Sequence, residues 1–278
     1  MVIHKPVFSS VLARLQADDL ILPYFESSML ADNWPEKYTI EIDSSPYYGL
    51  CDPEGEVHET GPGDGMFHPS THPLLGARQL WYMFHPVFAS QLVWEKRTIT
   101  SMLTLAMGSA LHGVFQTQMQ MSNLVVEEDI EFEYVNKDHN VRGRIDFIVG
   151  HPVHGRLPVE LKTMNTYSYR ALTEIKPSWD AQLSIALTEA GYDFGILMLV
   201  EAGWPYNMRE FRVRRNDALV SEIYEKYHYV LESVELDTPP RYCCAPGSAQ
   251  MKECPARFLC HLKDEVVDMG MPTLGKKG

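Results

Sequence analysis

Apolar residues recur at helical spacing over 8–20, where Val11, Leu12 and Leu15 share a face, and the pattern predicts an amphipathic helix. Residues 38–42 alternate as a short strand does. From 43 to 73 the chain mixes Pro, Gly, Ser and acidic residues without periodicity, which reads as a long loop of the kind compact domains keep for functional or mobile segments. Helical spacing returns between 86 and 121; its second part, 98–120, is rich in Met and Leu, with Leu105, Met107, Leu111 and Phe115 as packing surface. Strand character follows at 124–134, 141–149 and 157–164, and turn-forming runs at 136–139 and 150–155 join these into an antiparallel meander. A helix over 178–190, strands over 194–201 and 210–213, and a helix over 217–235 complete the order. The expected fold is α/β (α+β), a central mixed β-sheet flanked by helices.

Composition bounds this picture. A chain of 278 residues with 45% hydrophobic content can bury one sizeable core with a smaller attached lobe. The expected division is an N-terminal extension and loop over 1–75, a core over 76–240 and a cysteine-rich tail over 241–278. No apolar run approaches the roughly 18–20 residues that span a bilayer, and the N-terminus lacks a basic segment followed by an apolar one, so a soluble cytoplasmic protein is expected. The net charge of −13 argues against non-specific coating of nucleic acid, which depends on clustered Lys and Arg. It leaves room for a local basic groove, for which 209–215 and the Lys96, Arg97 pair are candidates.

Five polar residues give the chain its chemistry. His112 falls on the long predicted helix, Asp146 ends a Gly-Arg-Ile-Asp run on the second meander strand, Glu160 and Lys162 lie two apart on the third, and Gln182 is on the following helix. Alternation along a strand points Glu160 and Lys162 to one side and Val159 and Leu161 to the other. Pairing of the two strands would bring Asp146 beside Glu160. Two adjacent carboxylates repel unless a cation lies between them, and hard oxygen ligands suit Mg²⁺ or Mn²⁺, with His112 tilting the choice toward Mn²⁺. Such a metal polarises a phosphate and lowers the pKa of a bound water, while Lys162 orients or deprotonates that water or stabilises developing charge. Each residue alone has a plainer reading: a cross-strand ion pair, a core histidine, a turn-capping aspartate, a polar helix residue. Their joint order on compatible elements describes a metal-dependent phosphodiesterase.

Through the runs 108–112 (Gly-Ser-Ala-Leu-His), 143–146, 160–162 and Gln182, the chain resembles the PD-(D/E)XK nuclease superfamily over about residues 76–200. Within it, the pattern is similar to the RecB-type exonuclease branch of CRISPR-associated adaptation nucleases and phage recombination exonucleases. The resemblance implies a restriction-endonuclease-like core in which His112, Asp146, Glu160 and the backbone carbonyl of Leu161 hold the metal. It makes Lys162 the catalytic lysine and gives Gln182 a substrate-contacting or site-steadying role, with Glu128, Asp129 and Glu131 as weaker candidates for a supporting carboxylate. The implied activity is a DNA exonuclease working at duplex ends or on single strands in phage or prokaryotic recombination or repair, in the host cytoplasm if phage-encoded, with a recombination or helicase partner. Alternatives on the same fold are a structure- or sequence-specific endonuclease and a catalytically silent DNA-binding protein; the presence of Asp146, Glu160 and Lys162 together argues against the last. Trp81, Tyr82, Tyr167 and Tyr169 are candidate stacking surfaces for unpaired bases. The branch often has a tyrosine four residues after the helical glutamine, where this chain has Ala186.

Cysteine placement adds a second theme. Cys51 stands alone, whereas Cys243, Cys244, Cys254 and Cys260 fall within 18 residues, and without a secretory signal such a cluster reads as metal binding before disulfides. The resemblance implies an iron-sulfur cluster of the 4Fe-4S type, held by one early and three late cysteines. Cys254 and Cys260 have the expected last interval, and Cys244 (or Cys243) precedes them. Nine residues rather than the usual two separate Cys244 from Cys254, and Ala77 occupies the place of the early cysteine, a role left to Cys51. Zinc, with His58 or His261 completing the ligands, and reduced cysteines without metal are the alternatives.

Overall fold

The computed structural model describes residues 19–30, 35–39, 64–94, 98–204 and 206–260. Among the described residues, three α-helices, α1 (Leu22–Leu30), α2 (Ala77–Phe84) and α3 (Ile99–Met121), precede the meander of β1 (Ile130–Asn136), β2 (Val141–His151) and β3 (Gly155–Met164). Asn140 (φ 54°) and Gly155 (φ 71°) provide the left-handed backbone that the two turns need. The chain then passes through α4 (Thr166–Ala171) and α5 (Pro177–Ala190) to β4 (Phe194–Glu201), β5 (Met208–Arg214) and α6 (Asp217–Glu235), and the last described elements are the short α7 (Ala249–Glu253) and α8 (Arg257–Cys260). The sheet order is β1-β2-β3-β4-β5, antiparallel except for the β3–β4 pair, which is parallel. The expected mixed sheet flanked by helices is what the chain forms.

Alternation on the strands sorts the core onto two faces. Phe147, Val149, Val159, Leu161, Ile196 and Met198 pack with Phe25 of α1 and Phe115 and Met119 of α3. On the opposite face, Ile145 and Ile148 pack with α2, α5 and α6, and Leu197 and Leu199 with Leu183 and Leu187 of α5. β4 is buried along almost its whole length, as its unbroken apolar run requires of a strand covered on both sides. Segment 64–73 joins this core: Phe67 stacks on Tyr227 of α6 at 3.8 Å and bridges to Val141 of β2.

Several boundaries differ from the expected ones. Helix α2 occupies 77–84, where no helix was expected, and the stretch from 86 to 94 holds only the 3₁₀ turn Ala89–Gln91. Pro86 disfavours helical backbone at the residue before it, so the periodicity splits at His85. The first sheet strand begins at Ile130 rather than 124, because Leu124 offers its carbonyl to Gly150 and a 3₁₀ turn intervenes at Glu127–Asp129. The short α4, capped by the Asn165 side chain, was not expected from six residues of pattern. The helix expected over 8–20 and the strand expected over 38–42 lie largely outside the described residues. None of the described helices is long and apolar enough to cross a membrane.

One packing contact joins fold to site. A Cβ placed on Gly143 would overlap the Tyr134 hydroxyl and lie 2.5 Å from its Cζ. A Gly143→Ala variant is therefore expected to lose about 1–3 kcal/mol through overpacking, read as a lower midpoint in urea unfolding. An unchanged midpoint would show that the Tyr134 ring yields freely.

Candidate active site

The sheet forks between β2 and β3. Their ladder runs from His151↔Gly155 only as far as Phe147↔Val159. Asp146 and Glu160, the next pair in that register, lie beyond its end. From there β3 continues beside β4, as far as Met164↔Glu201, and β2 continues beside β1. The β1–β2 ladder also steps over Asp146: Ile130↔Phe147 and Phe132↔Ile145 pair, while Glu131 between them takes φ 51°. Asp146 closes the mouth of the fork by accepting the Leu161 N–H on Oδ2 at 2.6 Å. A carboxylate thus replaces the missing ladder bond, and that satisfies a backbone donor that burial would otherwise make costly.

Glu160 and Lys162 do share a face of β3, and α5 brings Gln182 onto both. Glu160 Oε1 accepts from Lys162 Nζ at 2.7 Å and from Gln182 Nε2 at 2.6 Å, while Lys162 Nζ also donates to Gln182 Oε1 at 3.0 Å. This closed triangle fixes one oxygen of Glu160. The other, Oε2, is buried and takes no hydrogen bond from any described residue. From the opposite face of the sheet, α3 brings His112 Nδ1 to 3.7 Å from Asp146 Oδ1, an ion-pair distance too long for a good hydrogen bond. The close approach of α3 to β3 is helped by Gly108, whose missing side chain leaves space beside Thr163.

Burial and mutual charge set the ionisation of this group. Burial, reinforced by the Asp146 charge, pushes Glu160 up to about 7 despite the relief from Lys162 and His112. For Asp146, burial works upward but is outweighed by His112, Lys162 and the Leu161 N–H, so its carboxyl stays below the ordinary value. Burial works against charge on both His112 and Lys162, yet the neighbouring carboxylates raise both. The ammonium is therefore held protonated.

The same cleft is lined by residues that the sequence pattern did not single out. Arg142 and Arg144 alternate with Asp146 along β2. Arg142 Nε donates to Glu133 at 2.7 Å and lies 3.6 Å from Asp64, and Arg144 pairs with Glu131 at 3.0 Å. Their spacing of two and four residues before Asp146 was the available signal. Asp64 and His68, joined at 3.1 Å, reach the cleft through the Phe67↔Val141 bridge and had no local signal. His72 holds the turn below them by accepting the His68 N–H, and its burial depresses its pKa to about 4, so the imidazole stays neutral.

Other expected contributors are elsewhere. Glu131 lines the cleft, but Asp129 is buried against Arg156 and Glu128 is exposed outside it. Trp81, Tyr82 and Tyr169 are buried, with Trp81 Nε1 donating to the Ser233 carbonyl and Tyr169 lying under Arg209. Tyr167, 84% exposed, is the member of that set which keeps a free ring face for stacking. Of the 209–215 arginines, two are engaged within the fold: Arg209 donates to the carbonyls of Leu172 and Tyr169, and Arg215 bonds Asp217 and the Tyr192 carbonyl, while Arg212 and Arg214 are exposed. The four lie on or just after β5, two strands from β3, and Arg209 and Arg215 tie neighbouring segments to the sheet. Lys96, Arg97, Cys51, His58 and His261 lie outside the described residues.

The donor set suits a hard divalent cation. Among the described residues, no three His, Cys, Asp or Glu side chains stand in ready coordinating geometry. The fork nevertheless offers an orphaned buried oxygen, Glu160 Oε2, beside Asp146, and an unpaired carboxylate oxygen away from water is costly without a counter-charge. Oxygen donors with one imidazole match Mg²⁺ or Mn²⁺.

In the tail, Cys243, Cys244, Cys254 and Cys260 line one small pocket together with Gln79 and Tyr82 of α2, and none of the four is in a disulfide. Burial raises the thiol pKa of Cys244, Cys254 and Cys260, with Arg78 acting in the opposite sense on Cys260.

No known family model matches the chain, and no curated protein matches it. Among solved structures, an alkaline exonuclease from Laribacter hongkongensis is similar at 15% identity and a TM-score of 0.46, covering 62% of this chain and 89% of that one. The same exonuclease in complex with dAMP gives a TM-score of 0.45 at 15% identity over the same shares of the two chains. With TM-scores below 0.5 these likenesses carry no functional argument.

Proposed function

We propose that the chain is a metal-dependent deoxyribonuclease of the PD-(D/E)XK type, acting as an exonuclease at DNA ends or on single strands. The observation that supports this reading is the fork itself: a buried, unpartnered oxygen of Glu160 beside Asp146, with Lys162 and Gln182 locked onto the other oxygen. Asp146, Glu160, His112 and the Leu161 carbonyl would hold the cation. Mg²⁺ or Mn²⁺ there supplies a polarised phosphate and a water of lowered pKa.

The remaining work falls to this chain's own side chains. Gln182 bonds both the Glu160 carboxylate and the Lys162 ammonium, which restrains the carboxylate through one oxygen and leaves the other unpartnered. Lys162, kept cationic by its carboxylate neighbours, orients the attacking water and stabilises charge growing on the phosphate. A protonated ammonium is a poor base, so orientation and charge stabilisation are favoured over proton abstraction. Asp146 holds β3 to β2 through the Leu161 N–H and so sets the opening of the fork.

The testing experiment is an assay on labelled linear DNA and a closed circle of the same sequence, with Mg²⁺ and Mn²⁺ in turn. Metal-dependent release of nucleotides from the linear substrate alone is expected. Cutting of the circle would replace the exonuclease reading with an endonuclease, and binding without cleavage of either substrate would sink the enzymatic reading.

A further inference from the structure

Among the described residues, the two most exposed aromatic rings stand together near the end of β3. Tyr167 of α4 and Trp204 of the β4–β5 connection are each 84% exposed. Local contacts join the elements that carry them. Met164 and Glu201 form the last pair of the parallel β3–β4 ladder, and the Ala202 N–H donates to the Met164 carbonyl at 2.6 Å. Glu201, fully buried, accepts from the side chains of Thr166, at the start of α4, and of Asn207, just before β5. A Cβ placed on Gly203 would lie 3.0 Å from Thr166 Oγ1, so this glycine lets the connection and α4 approach closely.

The surroundings of the two rings point to flat, charged-backbone ligands. Their neighbours along the chain, Thr166, Ser168, Gly203 and Asn207, are small or polar, which suits bases better than the broad apolar patch of a protein interface. Arg170, three residues after Tyr167 and so on the same side of α4, stands 3.8 Å from Glu201 and keeps 66% of its side chain exposed. Exposed rings beside a cation are the combination that holds unpaired strands, with the rings stacking on bases and the cation meeting phosphate. The same connection carries Tyr206 at φ 57°, a left-handed backbone that a bulky residue rarely takes, and outliers of this kind concentrate at ligand sites.

The fork gives this place a relation to the chemistry. From Asp146 and Glu160 its two arms run in the same direction, β2 back through Arg144 and Arg142, β3 onward to Met164. From Glu160 to Met164 the arm spans about 13 Å of strand, and α4 follows at once. The carboxyl ends of parallel strands, where β3 and β4 finish, are also where open α/β sheets receive ligands.

We propose that Tyr167 and Trp204 form a stacking site for unpaired bases of a DNA strand that continues from the fork along the β3 arm. This rests on the nuclease reading and narrows its substrate to one that is single-stranded on that side of the cut.

The test reads binding rather than cleavage, using the full chain without divalent cation, a short oligo(dT) and a blunt duplex of the same length. Tyr167→Ala and Trp204→Ala are each expected to bind oligo(dT) about tenfold more weakly than the parent, the scale of one lost base stack. Tyr167→Phe and Trp204→Phe, which keep a ring, should bind as the parent does, and duplex affinity should not change in any of the four. Oligo(dT) should quench tryptophan fluorescence in the parent and much less in Trp204→Phe. No binding of oligo(dT) by the parent, parental affinity in both alanine variants, an equal loss on the duplex, or an undiminished quench in Trp204→Phe would each overturn the proposal. A parent dimer that Trp204→Ala dissociates would assign the rings to a second copy instead. Because no metal is present, failure here with metal-dependent cleavage intact removes only the stacking site, whereas absent cleavage with these binding results intact removes only the nuclease reading.

Discussion

A Lys162→Met variant is expected to release nucleotides from linear DNA on the order of 10³-fold more slowly than the parent at saturating Mn²⁺, the scale seen when one group stabilising transition-state charge is removed. Methionine keeps the apolar stem that packs along β3 and removes the ammonium that Glu160 and Gln182 hold at 2.7 and 3.0 Å. Because the stem remains, thermal stability is expected to stay within a few degrees of the parent and DNA binding to persist. A loss smaller than tenfold under those conditions would remove Lys162 from the chemistry. If binding to DNA falls in step with the rate, the ammonium holds substrate and does not act on the reacting phosphate.

The second large effect concerns the coupling of metal to stability. Glu160, raised by burial and by Asp146 to about 7, costs the metal-free protein stability as pH rises from the ordinary carboxylate range through that value, because the folded state must then carry a buried anion. Below that range the carboxyl is protonated and the cost is absent. A divalent cation binds the ionised form, so Mn²⁺ is expected to raise the melting temperature little near pH 5 and by about 5 °C or more near pH 8. The latter figure corresponds to about 2.7 kcal/mol at a hundredfold excess over the dissociation constant and about 2–4 °C per kcal/mol for a chain of this size. Glu160→Gln removes the anion while keeping an acceptor for Lys162 and Gln182. In that variant the melting temperature without metal should no longer fall over this pH range, and the Mn²⁺ gain should largely vanish along with DNA cleavage. An Mn²⁺ gain of parental size in Glu160→Gln would mean that the cation binds elsewhere. Asp146→Asn, which retains an acceptor for the Leu161 N–H, provides the matching test from the other side of the fork.

Much of the site was legible because strand alternation is a local rule. Glu160 and Lys162 are two residues apart on β3, and a period of two leaves them one face whatever the rest of the chain does. That Asp146 would stand near Glu160 followed from antiparallel pairing of neighbouring strands. That the pairing stops one step before them, so that a carboxylate and not a ladder bond joins the strands, is a property of the whole sheet: β4 pairs beside β3 and β1 beside β2, and the two halves diverge. Arg209 on β5 shows the converse. Charge density in the sequence says nothing of which carbonyls a guanidinium will find, and α4 with its C-cap brought those of Tyr169 and Leu172 to Arg209.

The sequence by itself determined the elements whose signals lie within a few residues: the meander, the long α3, α5 and α6, and the shared face of Glu160 and Lys162. It determined this because hydrophobic periodicity is a local requirement of burial. Only the tertiary structure decided what depends on closing long loops. Gln182 meets Glu160 because α5 packs across β3, Asp64 and His68 reach the cleft because Phe67 bridges to β2, and Cys243 comes to rest on Gly76. Such contacts are selected by the fit of surfaces far apart in the chain, and a close approach of this kind, like the missing Cβ of Gly76, becomes visible only when both surfaces are in place.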